Sequence, residues 1–209
     1  MNRSKRNALR EMQAWLAELQ RALAVAAQRL DPAAVDDAAR LAAFVEQQAV
    51  LRAMFAQVFV ARADGRVVHA SDAGADIVGA DIGGHEHFRR TLDEQRAQVS
   101  QPLAGGAVDD PVVVFTQPLH DADGVRAVLG GALRLASRDL LADVVEARDD
   151  EQGVLVAVTD SSGRIVAHPQ RARLLQSLAD EPRLAQAHAQ WQADGRPLLR
   201  DAGHWRQSG

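Results

Sequence analysis

The side chains best suited to chemistry lie in one run, His85-Glu86-His87-Phe88-Arg89-Arg90. Each guanidinium offers a planar fork of donors that fits a carboxylate, and each imidazole can donate, accept or ligate a metal. Two residues apart on a helix do not share a face, so joint chelation by His85 and His87 requires the helix to begin after His85. His69, His120 and His168 fall in other segments, and no metal-ligand spacing joins them. Neither a metal site nor a cofactor is expected. Arg89 and Arg90 also fit a solvated helix face balanced by Asp93 and Glu94.

Catalysis finds little support. No Gly-x-Ser-x-Gly elbow, phosphate-binding loop or His-Glu-x-x-His occurs. The paired acids Asp109-Asp110 precede Pro111 in a Gly-rich loop and read as a turn, and Asp149-Asp150-Glu151 reads as an exposed helix end, so no enzyme is expected. The chain has no Cys, which excludes disulfides and thiolate metal sites and fits an oxidising compartment. A net charge of −4 gives no reason to expect nucleic acid or an anionic membrane surface as a partner. No apolar run is long enough to span a bilayer, and the polar start Met1–Arg6 has no signal-peptide core behind it. With 209 residues, 47% of them apolar, the chain suits one sizeable domain or two small ones.

These residues need a scaffold, and its centre is predicted at Val112–Leu135. Two apolar runs, Val112–Leu119 and Val125–Leu135, flank His120-Asp121-Ala122-Asp123-Gly124, a hairpin signal because Gly accepts a positive φ. Gly130-Gly131 sits inside the second run, where glycine weakens a strand; a ligand or another backbone is expected to approach there. Phe115 and Gln117 share one strand face, Val114 and Thr116 the other. Phe115 suits the core or a ligand contact, and Gln117, before Pro118, is the more informative polar residue.

Upstream, Leu9, Met12, Leu16, Leu19, Leu23, Ala26, Ala27 and Leu30 recur at helical spacing. Asp31-Pro32 should end that helix and start a second, to about Gln48. Val58–Ala63 and Val67–Ala70 flank Asp64-Gly65 as a first hairpin, followed by the Gly/Asp-rich loop Ser71–Gly84, a helix over His85–Arg96 and a brief strand over Val99–Leu103. Ser137 should cap a helix through Arg148. Val154–His168 then repeats the first hairpin: VFVARADGRVVHAS matches VLVAVTDSSGRIVAHP. Helical segments are expected over Gln170–Ala179 and Pro182–Asp194. No counterpart of Val112–Leu135 follows, so the second module is expected to be incomplete.

The order hairpin, loop, HEHFRRTL, VSQPL, VVVFTQPL, DADG, AVLGGALRL resembles the double Cache (dCache) sensory domains of bacterial receptors, over roughly Leu51 to Leu178. The resemblance implies an α+β fold of long N-terminal helices followed by PAS-like antiparallel-sheet modules. It divides the chain into an N-terminal helical arm (1–52), a membrane-distal module (53–136), a connecting helix (137–152) and part of a membrane-proximal module (153–209). It also implies an extracytoplasmic, periplasmic position in an inner-membrane receptor whose output is a diguanylate cyclase, histidine kinase or chemotaxis transducer. A small molecule would bind the distal module. A non-binding structural or dimerising spacer is the alternative, and the N-terminal helix could join two copies as a homodimer.

In the amino-acid-binding branch of that family, His85 stands at an Arg, His87 at a Trp, Phe88 at a Tyr, Leu103 at a later Tyr and Ala132 at an Asp. Ala132 offers an α-amino group no carboxylate, and the sequence has no Tyr. The expectation is therefore an organic acid or other small anion and not an amino acid. A cavity is expected between the Ser71–Gly84 loop with the His85–Leu92 helix and the hairpin Val112–Leu135. The residues expected to line it are His85, His87, Phe88, Arg89, Leu103, Phe115, Gln117, Gly131 and Ala132.

Overall fold

A computed structural model describes residues 3–71, 77–104, 111–135, 157–160, 162–168, 170–181 and 184–195. The expected helix over Ser137–Arg148, both acidic pairs and part of the Gly/Asp-rich loop lie outside these residues. One compact unit runs Trp15–Arg134, and the described residues beyond it belong to another. No described helix is long and apolar enough to cross a membrane.

The N-terminal periodicity forms helix α1, Arg3–Arg29. Leu19, Leu23, Ala26 and, just past its end, Leu30 are buried, one stripe of a 3.6-residue repeat. The break at Asp31-Pro32 is present, because Pro32 has no N–H to continue the ladder. Pro32 opens a 3-10 turn, Pro32–Asp36, whose Ala33 N–H donates to the Asp31 carboxylate. The second helix consequently starts later than the spacing predicts. Asp37 caps α2 (Ala38–Gln47) by accepting from the N–H groups of Ala39 and Arg40, both at 3.1 Å. A short α3 (Ala49–Met54) leads into the sheet.

The strands are β1 (Gln57–Arg62), β2 (Val67–Ala70), β3 (Gln98–Val99), β4 (Val112–Asp121) and β5 (Gly124–Arg134). They form a five-stranded antiparallel sheet in the order β2-β1-β5-β4-β3, so the central hairpin does pair with the first one. Helix α4 (Glu86–Glu94) completes the unit. The fold is α+β, as expected.

Strand alternation gives the sheet two buried faces. Val58, Val60, Phe115, Leu119, Leu129 and Leu133 share a core with Leu19, Leu23, Leu41, Val45 and Phe55 from the N-terminal segment. Phe59, Ala61, Val112, Val114, Val128 and Ala132 share the other with Phe88 of α4.

A bulge decides which residues of the central hairpin face which side. Asp121 pairs with Gly124, and plain register from there would set Val113 opposite Ala132. Instead His120 pairs with Val125 but Leu119 with Ala127, so Arg126 is the extra residue, Val114 faces Ala132 and Phe115 faces Gly131. Arg126 turns its guanidinium to Asp36 and, at 3.6 Å, to Asp121, while Asp36 also holds Arg62 at 2.7 Å.

In the other unit, β6 (Val158–Thr159) and β7 (Ile165–Ala167) form the second hairpin. Its geometry repeats the first closely. Val60 pairs with His69 and Ala61 with Val67; Val158 pairs with Ala167 and Thr159 with Ile165, with the same irregularity between the two pairs. Gly65 and Gly163 occupy the turn at φ 92° and 84°. After each hairpin the chain returns to bond it, through Val67 with Gly79 and Ala80 and through Ile165 with Leu175 and Gln176. Leu175, at φ 65°, stands where Gly79 has φ 90°. This return replaces the helix expected over Gln170–Ala179: only 3-10 turns at Arg171–Arg173 and Leu178–Asp180 form, since the Ile165 backbone bonds compete with a helical ladder. Helix α5 (Ala185–Ala193) follows.

Candidate ligand-binding site

Helix α4 begins at Glu86, with His85 as its cap in extended backbone. Because the helix starts after His85, the two imidazoles escape the helical spacing that would separate them, and their ring centroids lie 5.5 Å apart. His85 is exposed and His87 is buried. Burial, and secondarily the charge of His85, push the His87 imidazole down to about 4. His87 is therefore neutral at physiological pH.

Thr91 fastens α4 to the sheet. Its fully buried hydroxyl donates to the His87 carbonyl at 2.8 Å and lies 2.6 Å from Thr116 Oγ1 on β4. Thr91→Val should cost about 1–2 kcal/mol, because the Thr116 hydroxyl then loses a buried partner. Thr91→Val with Thr116→Val should cost less than the two single changes together, as chemical denaturation of the four variants would show.

Opposite the start of α4 runs residues 99–103. Ser100 Oγ accepts from Val114 N–H at 2.9 Å and donates to the Gln101 carbonyl at 2.6 Å. Leu103 and Val112 exchange backbone bonds at 2.8 and 2.9 Å. Between this segment and α4 lies a cleft of about 100 Å³, lined by His85, Glu86, His87, Arg90, Val99, Ser100, Gln101 and Leu103. The lining includes an acidic residue, Glu86, and a basic one, Arg90, whose Nε donates to Glu94 at 3.0 Å.

The structure divides the residues expected at the site. His85, His87 and Leu103 line the cleft. Phe88 and Ala132 are buried on the α4 face of the sheet, beneath it. Phe115, Gln117 and Gly131 fall on the opposite face, where Phe115 packs in the core shared with the N-terminal helices. Arg89 is exposed and lines no part of the cleft; its neighbour Arg90 does.

Nor do the strand glycines open a floor for a ligand. A Cβ at Gly130 would lie 2.1 Å from Phe59 Cζ, and one at Gly131 would lie 2.6 Å from Phe55 Cδ1. The chain's own aromatic rings take that space, and Phe55 meets Phe115 edge-on at 5.7 Å. Among the described residues the cleft lies between α4 and residues 99–103, not between α4 and the central hairpin. Ser100 and Gln101 are the polar residues that sequence reasoning passed over, whereas Glu86 and Arg90 stand in the run it singled out. The cross-strand relation of Ser100 to Val114, and so to Ala132, is the signal that only the register supplies.

No protein-family model matches the sequence, and no curated protein does. Solved structures do. An extracellular ligand binding receptor from Desulfohalobium retbaense DSM5692 superimposes with a TM-score of 0.68 at 15% identity, over 88% of this chain and 33% of that one. The ligand-binding domain of the Pseudomonas aeruginosa PAO1 amino-acid chemoreceptor PctC, in complex with GABA, gives 0.66 at 22% identity, over 83% of this chain and 76% of that one. That of the Pseudomonas fluorescens chemoreceptor CtaA, in complex with L-isoleucine, gives 0.61 at 23%, over 84% and 70%. The chain thus spans about a third of the Desulfohalobium receptor's length.

This comparison corrects the expectation that set an amino acid aside. Chemoreceptor domains of this fold are seen in complex with GABA, L-Arg, L-Ile, L-Ser, L-Ala and L-Val. An Ala at 132 is no ground against such a ligand when Glu86 brings a carboxylate to the cleft from α4. The chain has the α+β fold of these chemoreceptor ligand-binding domains.

Proposed function

We propose that the chain is an extracytoplasmic small-molecule-sensing domain of a bacterial transmembrane receptor, and that residues 53–136 bind a small amino acid in the cleft beside α4. Residues 1–52 serve as the helical arm, 137–152 as the connection and 153–209 as part of a membrane-proximal module. One observation carries the ligand class. Glu86 can accept from an ammonium group, while Arg90 and Gln101 can donate to a carboxylate, so the cleft complements both ends of a zwitterion.

Titration calorimetry with L-arginine, L-isoleucine, L-serine, L-alanine, L-valine and GABA tests this. At least one should bind, and Glu86→Gln and Arg90→Ala should each weaken it roughly tenfold, about 1.4 kcal/mol. Binding that neither change alters places the ligand elsewhere. The spacer reading has its own observation: Phe59 and Phe55 already fill the space over Gly130 and Gly131. It predicts that none of the six compounds binds.

A further inference from the structure

The sheet face beneath α4 carries a polar side chain that the cleft does not account for. Gln57 opens β1 directly opposite Ala132 of β5. Alternation sets it on the face of Phe59 and Ala61, which buries Ala132 and Phe88. Gln57 is only 6% exposed, and its Nε2 finds no hydrogen-bond partner among the described residues. A buried amide N–H without an acceptor is costly to a fold and calls for an explanation. Its cross-strand neighbour cannot supply the acceptor, since side chains so paired approach within about 5 Å and Ala132 presents only a methyl group. Leu103 lines the cleft and packs against the cluster that contains Ala132, the cross-strand partner of Gln57.

We infer that Gln57 is a ligand-binding residue of this unit, whose carboxamide N–H donates to a carbonyl or carboxylate oxygen of the bound molecule. The inference rests on the sensory reading above and adds an orientation to it. The ammonium end belongs with Glu86 on α4, and an oxygen acceptor belongs with Gln57 on the sheet. The amide goes unmatched without ligand and is satisfied with it, so ligand-free stability is traded for affinity.

Gln57→Met tests this, because it keeps an unbranched side chain of similar length and removes only the amide. In the ligand-free protein it should raise Tm by a few degrees. It should also weaken whichever of the six amino acids binds the unaltered protein best by tenfold or more, measured by calorimetry on the full chain. A Gln57→Met protein that melts lower without ligand has lost a structural hydrogen bond, which overturns the inference. So does a Kd within twofold of the unaltered protein's, and in that case the sensory reading survives. If none of the six compounds binds the unaltered protein, both readings fall together.

Discussion

Gly130→Val should unfold the Trp15–Arg134 unit about 10 °C below the unaltered protein. The sign matters more than the size. At an ordinary central-strand position a β-branched residue stabilises relative to glycine, because it packs on the pleated surface and the unfolded chain loses freedom. Here the first added carbon would meet the Phe59 ring at 2.1 Å, with two further ring carbons at 2.4 and 2.6 Å. Phe59 is the directly opposed residue on β1 and is itself buried, so displacing its ring disturbs the close packing around it. Overpacking of this kind costs about 3 kcal/mol, which at this chain length corresponds to the stated shift. Phe59→Leu introduced into a Gly130→Ala protein should recover part of the loss, as differential scanning calorimetry would read. A Gly130→Val protein that melted higher would mean that the space over Gly130 is open. Gly131→Leu falls under the same argument through Phe55, so it tests packing and not occupation of a ligand floor.

The second large effect is one of pH. His87 titrates at about 4 in the folded protein and near 6.5 when unfolded. Between those values the unfolded chain binds the proton and the folded chain does not, so stability rises with pH across this window. The contribution is fully present above pH 6.5 and is lost progressively as pH falls toward 4. At pH 4.5 the His87 contribution alone should lower stability by on the order of 2 kcal/mol relative to pH 7.5. His87→Phe keeps a ring at the site and removes the titration. Its stability, measured by urea denaturation at several pH values, should fall less steeply between pH 6.5 and 4.5 than that of the unaltered protein. Some slope should persist, because burial lowers His69 as well. Identical slopes in the two proteins would show that His87 protonates as freely folded as unfolded.

That titration has a functional side. His87 lines the cleft with His85, and its neutral ring can accept a proton as well as donate one. A ligand whose carboxylate sits against the two imidazoles would bind more tightly as pH falls toward 4, against the trend in folding stability. A ligand presenting its ammonium there would follow the opposite course. The pH dependence of affinity therefore reports ligand orientation independently of any substitution.

Local interactions determined what the sequence by itself could show. The end of α1 at Asp31-Pro32 follows from a missing N–H and a side-chain cap two residues from its donor, all within one turn of chain. The hairpins at Asp64-Gly65 and Ser162-Gly163 follow from a positive φ that Gly accepts, and their likeness was legible because equal turns demand equal residues. The amphipathic stripe Leu19, Leu23, Ala26, Leu30 was visible as spacing and proved to be core.

Which side of the sheet a residue faces was decided only by tertiary structure. Strand alternation separates Phe115 and Gln117 from Val114 and Thr116, yet nothing in the run VVVFTQPL says which pair meets α4. That choice depends on one extra residue, Arg126, held out of register beside Asp36 and Asp121. Because side chains alternate with a period of two, a shift of one moves the whole set to the other face. Thr116 and Ala132 thereby came to face α4, and Gln117 and Gly131 the N-terminal helices. The glycines misled for a related reason. A glycine in a strand announces that something approaches closely, but whether it is a ligand or the chain's own Phe59 and Phe55 depends on strands and helices distant in sequence, brought together only when the sheet closes over its core.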